Sequence, residues 1–571
     1  MRKSLSILIL AGALFAGCNS TSDQPSSTQE IASPPIDSQQ VVETASEEVK
    51  PSTAVVTDQP LVIARPLPAS GRHSGMEDAP MHFIYEKSAM NYKVSSPTNQ
   101  GIAIALERES GLYQDEPSSP SQEFRAAIQH PLSTFSADVD TASFANVRRE
   151  IQSGLLPSHQ LVRVEEMLNY FNYDLPEPEQ GQPFSVTTEI SDCPWSPTIS
   201  LMRVAIKTQS IKRGELPPRN LVFLLDVSGS MQSPDKLPLL QSSLRQLVDT
   251  LDDKDRVAIV VYAGDSGLVL PSTTGDQKST ILEAIESLQA GGSTNGADGL
   301  QLAYQVAEQH RSENSVNRII LATDGDFNVG ISDHSDLKKY IEGKRDSGLF
   351  LSVLGFGRGA NDKVMETLAD HGNGNYASID SLNEARKVLV QEGGATLVTV
   401  AKDVKFQVAF DPKKVEKYRL IGYQNRQLAA RDFDDDTKDA GELGAGHSVT
   451  ALYEIQFKKQ DMDQRLLSVL DSENQPAVVK LRYKAPDADQ SELMEVPVSG
   501  KRSEIDEASP DHQWAIAVAA YGKLLTEELS PDRMPFDRLY ALLKPTMKAG
   551  PDAYQREFYE LVKTTEGLLG E

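Results

Sequence analysis

Cysteine is almost missing from this chain of 571 residues: there are two, Cys18 and Cys193, far apart and in unlike surroundings. Two such thiols build neither a disulfide framework nor a Cys-based zinc site. Positive charge is short as well: 56 Lys and Arg stand against 82 Asp and Glu, a formal net charge of −26. That balance excludes a general nucleic-acid binder, which needs clustered cations against phosphates, and suits solubility, cations and basic partners. No apolar run reaches the length of a membrane-spanning helix. The nine histidines are scattered, with none at metal-ligand spacing. Gly-x-Ser-x-Gly, His-Glu-x-x-His, Walker and Rossmann glycine patterns are missing too, so no motif proposes a reaction. No internal repeat marks a solenoid or propeller.

What is present divides the chain into several parts, as its length requires. Arg2 and Lys3 form a basic start, and Ser4 to Phe15 an apolar stretch too short to span a bilayer. Ala16-Gly17-Cys18 resembles the lipobox of bacterial lipoproteins, which implies that residues 1–18 are a signal peptide and that Cys18 is lipidated. Asn19, by the same resemblance, favours the outer membrane in a Gram-negative cell, on its periplasmic or surface face. The expectation is a cell-envelope protein held to the membrane by its N-terminal lipid. Residues 19–130, rich in Ser, Thr, Pro, Gln and Glu, bury too little apolar surface to offset chain entropy and read as a disordered tether.

Residues 131–216 combine strands with a helix over 161–171, whose Leu161, Val164, Met167, Leu168 and Phe171 share one face. Cys193 reads as a structural or semi-exposed thiol, Trp195 and Trp514 as core aromatics, and Asp138 and Asp140 as a turn capping the next helix. From 217 to 392 the apolar runs NLVFLLDV, DRVAIVVYAG, RIILATDG and GLFLSVLGFG alternate with amphipathic helical segments. Such alternation predicts an α/β domain, doubly wound about a mainly parallel sheet, with its functional crevice at the carboxyl ends of the strands. Residues 393–500 alternate apolar and polar as half-exposed strands do, and 501–571 read as helices. Chain order predicts that the β-rich segments on either side of the α/β domain pack together as one flanking module.

In LVFLLDVSGSM the first α/β strand runs into Asp226, Ser228 and Ser230; GGSTNGADG places Thr294 at a helix start, and LATDGD places Asp324 at the end of a later strand. All three loops are predicted at one edge of the sheet. Two carboxylates and three hydroxyls form a hard, all-oxygen ligand set for Mg2+, Ca2+ or Mn2+, with Mg2+ expected, rather than for zinc or copper. The five residues, in this order and spacing, resemble the metal-ion-dependent adhesion site of von Willebrand factor type A domains. PLSTFSADVDTASFANVRR, VRVEEMLNYFNYDLP and DAGELGAGHSVTALYEI extend the resemblance, over residues from about 130 to the end, to bacterial YfbK-type lipoproteins. The resemblance implies a divalent cation with an open position for an Asp or Glu carboxylate from a partner protein, hence binding or adhesion and no catalysis. An envelope scaffold with a purely structural ion and a non-catalytic regulatory subunit are the alternatives. The acidic run Asp432 to Asp436 lacks EF-hand spacing and reads as a solvated loop, and His447 as a turn or sheet-edge residue.

Overall fold

Every residue of the strand Arg219–Asp226 is buried, so it needs cover on both faces, and its alternating side chains say what supplies it. Leu221, Phe223 and Leu225 pack with Leu240 and Leu244 of helix Leu237–Val248 and Ile281 and Ile285 of helix Lys278–Glu286. Val222 and Leu224 meet Leu300 and Ala303 of helix Gly296–Gln309, Ile341 of helix His334–Asp346 and Met365 of helix Asp362–His371. These contacts come from a computed structural model, which describes residues 123–570 apart from 138, 264–265, 293–295, 326–333, 359–361, 394–397, 437, 439, 459–474, 487 and 489.

Across the α/β sheet the strands lie in the order Tyr376–Ile379, Phe350–Phe356, Val316–Thr323, Arg219–Asp226, Arg256–Tyr262, Ser266–Thr274. The first five run parallel and the last antiparallel to its neighbour. The chain winds outward from Arg219–Asp226 on one side and returns to Val316–Thr323 on the other. The carboxyl ends of those two strands therefore flank the point where the winding reverses, the place where such sheets open a crevice.

Segments before and after this α/β unit share two further sheets. Strand Ser196–Thr208 pairs antiparallel with Ser448–Phe457, and Leu132–Ser136 with Thr399–Phe410. The sheets enclose one core in which Met202, Val204 and Ile206 meet Phe406 and Val408. Their alternates Leu201 and Ala205 face outward against a helical layer, where helices Pro510–Leu525 and Ala553–Leu569 supply Trp514 and Phe558. Cys193 is buried at the end of strand Phe184–Cys193, and burial pushes its thiol up to about 12, as an inert structural thiol requires. Trp195 is buried as expected, and its Nε1 donates to Glu454 Oε1 at 2.9 Å.

Three expectations change. The stretch 19–130 does not stay a tether to its end, because Arg125–Ala126 pairs with strand Val415–Leu420 and Ala127 is fully buried. The helix expected over 161–171 is confined to Val164–Asn169, because Arg163 N–H donates to Ser143 Oγ and Ser143 Oγ–H to Leu161 O. Asp140 caps no helix: helix Ala142–Gln152 has no side-chain cap, and the Asp140 carboxylate instead accepts from Tyr376 N–H at 3.1 Å and pairs with Arg426 at 2.8 Å. Asp138 lies outside the described residues.

The helical layer also holds two buried groups that titrate abnormally. Burial holds His512 down to about 4, with Ser191 Oγ 2.9 Å from its Nε2. Burial, with Glu166 adding repulsion, lifts Glu165 to about 7. The unfolded chain takes a proton at His512 that the native state refuses, so its stabilisation is full above about 6.5 and is lost as pH falls toward 4. Native Glu165 keeps a proton that the unfolded chain releases, so its stabilisation is full below about 4.5 and is lost as pH rises toward 7. Between those limits the slopes oppose, each up to about 1.4 kcal/mol per pH unit. Relative to wild type, Glu165→Gln is expected to gain stability with rising pH through this window and His512→Gln to lose it, measured by denaturant unfolding. Parallel profiles for the two variants would remove this assignment.

Candidate metal centre

Asp226 ends its strand fully buried, and each of its oxygens is spoken for. Oδ1 accepts from Ser228 N–H at 2.8 Å, closing an Asx turn. Oδ2 accepts from Tyr262 OH and from Thr323 Oγ1, both at 3.2 Å. Burial raises the Asp226 carboxyl above its ordinary range, against the Ser228 hydrogen bonds and with the charge of Asp324 adding to the rise. The turn puts the Ser228 and Ser230 hydroxyls 2.9 Å apart. Ser228 makes no side-chain cap to the short helix Gly229–Gln232 that follows it, so a capping role does not explain the serine.

The neighbouring loop is tied to this turn through its backbone. Gly291 N–H donates to Val227 O at 2.7 Å, and Gly229 N–H to Gly292 O at 3.1 Å. Thr294, two residues further on, lies outside the described residues, as does Cys18. Asp324 follows directly on strand Val316–Thr323, beside Asp226's strand. Four of the five expected ligand residues are thus described, and they converge on one edge of the sheet.

Sequence reasoning missed three contributors. Tyr262 and Thr323 carried a signal, since both end strands that neighbour Asp226's, and Tyr262 is its register partner. Lys236 carried none. Its Nζ reaches Asp324 Oδ2 at 2.8 Å and Ser230 O at 3.0 Å. Room for its stem exists because Gly357, at φ 78°, has no side chain; a Cβ there would strike the Lys236 methylenes. Arg149, on the flanking helix Ala142–Gln152, donates to Gly357 O from the other side.

Among the described residues no group of three or more His, Cys, Asp and Glu gathers at metal-holding distance. An ion here would rest on hydroxyls as well as carboxylates. The residues fit a hard divalent cation: the donors are all oxygen, and the site already holds one positive charge, the Lys236 ammonium.

Other candidates resolve as structure. Arg482 pairs with Asp434 at 2.5 Å, and Ser491 Oγ donates to Asp436 Oδ1 at 2.6 Å, so the acidic run clasps a hairpin. His447 sits in the turn before strand Ser448–Phe457, its carbonyl accepting from Thr208 N–H at 2.9 Å.

Residues 220–391 match the von Willebrand factor type A domain model, 113–203 a model described as von Willebrand factor, and 395–568 the C-terminal model of the uncharacterized protein YfbK. The chain is 42% identical over 460 residues to the uncharacterized protein YfbK of Escherichia coli (strain K12), a match covering 78% of this chain and 80% of that one. It is 28% identical over 165 residues to human inter-alpha-trypsin inhibitor heavy chain H3, covering 28% of this chain and 18% of the relative. Among solved structures, a von Willebrand factor type A protein from Catenulispora acidiphila covers 65% of this chain and 91% of its own, at 16% identity and TM-score 0.37.

Proposed function

Since this chain belongs to the YfbK family of von Willebrand factor type A proteins, and the type A domain is a protein-interaction module, we propose that it binds a partner protein through a divalent cation held at Asp226, Ser228, Ser230, Thr294 and Asp324. The observation that carries this reading is the Ser228–Ser230 hydroxyl pair, 2.9 Å apart, beside the Asp324 carboxylate at the carboxyl edge of the sheet. Hydroxyls add no charge, so a bound Mg2+ keeps residual positive charge and attracts an Asp or Glu carboxylate from the partner. Asp226, whose Oδ1 accepts from Ser228 N–H and whose Oδ2 accepts from Tyr262 and Thr323, fixes the Ser228 turn and meets the ion directly or through water. No step of this chemistry calls for a general base, so the role is binding without catalysis.

The same reading puts the protein in the cell envelope, held by a lipid on Cys18. Of the expected tether, residues 19–122 lie outside the described residues, whereas in its last stretch Arg125–Ala126 pairs with strand Val415–Leu420, and Ala127 is fully buried in the core of the flanking sheets. The test is capture of partners from envelope extract by the full chain, in Mg2+ and in Mg2+ with excess EDTA. A partner retained only with metal is the expected result. Equal capture under both conditions would refute metal-dependent recognition, and a chelator effect confined to thermal stability would make the ion structural.

A further inference from the structure

The strand that ends at Asp324 begins beside a second site. Arg318 is the third residue of Val316–Thr323, six positions before Asp324, which places it roughly 20 Å away at the opposite edge of the sheet. It lines a cleft of about 420 Å³ between the α/β unit and the flanking sheets, shared with Asn373, Asn375, Asn425, Gln427 and Arg345 among others. Arg318 is 4% exposed. One guanidinium nitrogen, Nη1, donates to Ser352 Oγ at 2.7 Å, and the group lies 5.6 Å from the centre of the Phe350 ring. Its Nε meets no acceptor among the described residues. Burial lowers Arg318 to about 10, with Glu442 acting in the opposite direction.

The acidic residues of the cleft are already engaged. Glu342 faces His371 at 3.2 Å, Asp370 pairs with Arg426 at 3.2 Å, and Glu442 accepts from Asn373 Nδ2 at 2.9 Å and Thr399 Oγ1 at 3.0 Å. Arg318 has no such carboxylate in ion-pair contact among the described residues. A buried arginine without an anion is costly, and its planar edge is shaped for a bidentate oxyanion. The cleft has the volume of a small-molecule site.

We propose that this cleft binds a small polar ligand through its carboxylate, with Arg318 as the anion receptor and the surrounding carboxamides as polar contacts. A singly charged carboxylate matches one buried guanidinium; a phosphate dianion leaves a charge uncompensated in a desolvated site.

The test is titration of the full chain with acetate, inorganic phosphate and the neutral isostere acetamide, at constant ionic strength and in EDTA so that the metal centre plays no part. The readouts are calorimetry and the nitrogen-15 NMR signal of the Arg318 Nε–H. Saturable acetate binding that shifts the Arg318 signal is expected. It should be weakened at least tenfold in Arg318→Gln and unchanged in Arg245→Gln, an exposed arginine of helix Leu237–Val248 outside the cleft, with acetamide silent. The NMR shift is read on wild type, so it decides the matter even where Arg318→Gln fails to fold. An Arg318 signal unmoved by acetate, or phosphate bound more tightly than acetate, would overturn the proposal.

Discussion

Asp324→Ala is expected to weaken Mg2+ binding by at least about 100-fold, the upper end of the losses seen when a residue that merely supports a metal ligand is removed. Lys236→Met is expected to act in the opposite direction. Asp324 Oδ2 accepts from the Lys236 ammonium at 2.8 Å, and that ammonium also bonds Ser230 O at 3.0 Å. In the proposed site the carboxylate is therefore shared between the lysine and the incoming ion. A single and a double positive charge a few ångströms apart repel by at least about 1.5 kcal/mol even at the dielectric of water, so removing the ammonium should tighten Mg2+ roughly tenfold. Methionine keeps an unbranched stem in the space that Gly357 leaves open. Calorimetric titration of wild type and both variants decides the matter. Wild-type affinity in Asp324→Ala would remove the site, and weaker binding in Lys236→Met would make the ammonium a support of the ion instead of its competitor.

The second large effect falls on the join between the α/β unit and its flanks. Arg148, on helix Ala142–Gln152, is fully buried. Its guanidinium donates to Asp380 through Nε at 2.8 Å and again through Nη2, to Glu384 at 2.7 Å, to Glu557 at 2.9 Å and to Tyr170 OH at 3.1 Å. It thereby ties the segment before the α/β unit to the end of that unit and to the last helix, Ala553–Leu569. Glu384 feels the loss most: burial already pushes its carboxyl upward, and Arg148 is the largest influence pulling it back. Arg148→Met leaves Asp380 and Glu384 buried without their shared cation, and breaking a buried pair in this way costs about 3–5 kcal/mol. Denaturant unfolding should show that loss as a lower midpoint. Adding Glu384→Gln to Arg148→Met should recover part of it, because the second change removes the stranded charge. A loss below about 1 kcal/mol, or purely additive variants, would mean that the network is not what holds the join.

Much of the α/β unit could be read from residues in order. An apolar run such as Leu221 to Leu225 needs cover on both faces, and the helical segments between the runs are where that cover comes from. The Asp-x-Ser-x-Ser turn and the Thr-Asp-Gly turn were legible because each directly follows a strand, so their place at one edge follows from the alternation itself. Tyr262 was legible in principle for the same reason. Lys236 was not, because whether a side chain of several methylenes reaches Asp324 depends on the empty space at Gly357, 121 positions away in the chain.

Local pattern determined which segments are strands or helices, which face of each is apolar and which loops carry oxygen ligands, because the periods of 2 and 3.6 are properties of consecutive residues. It did not determine neighbours. Chain order led to the expectation that the segments on either side of the α/β unit form one module, but alternation in Ser196–Thr208 marks a buried face and names no partner strand; only the tertiary structure supplies the pairing with Ser448–Phe457. The charge balance of both candidate sites was settled at that level too. Lys236 meets Asp324, and Arg318 has no carboxylate in ion-pair contact among the described residues, because buried charges are paired across space by packing and not along the chain.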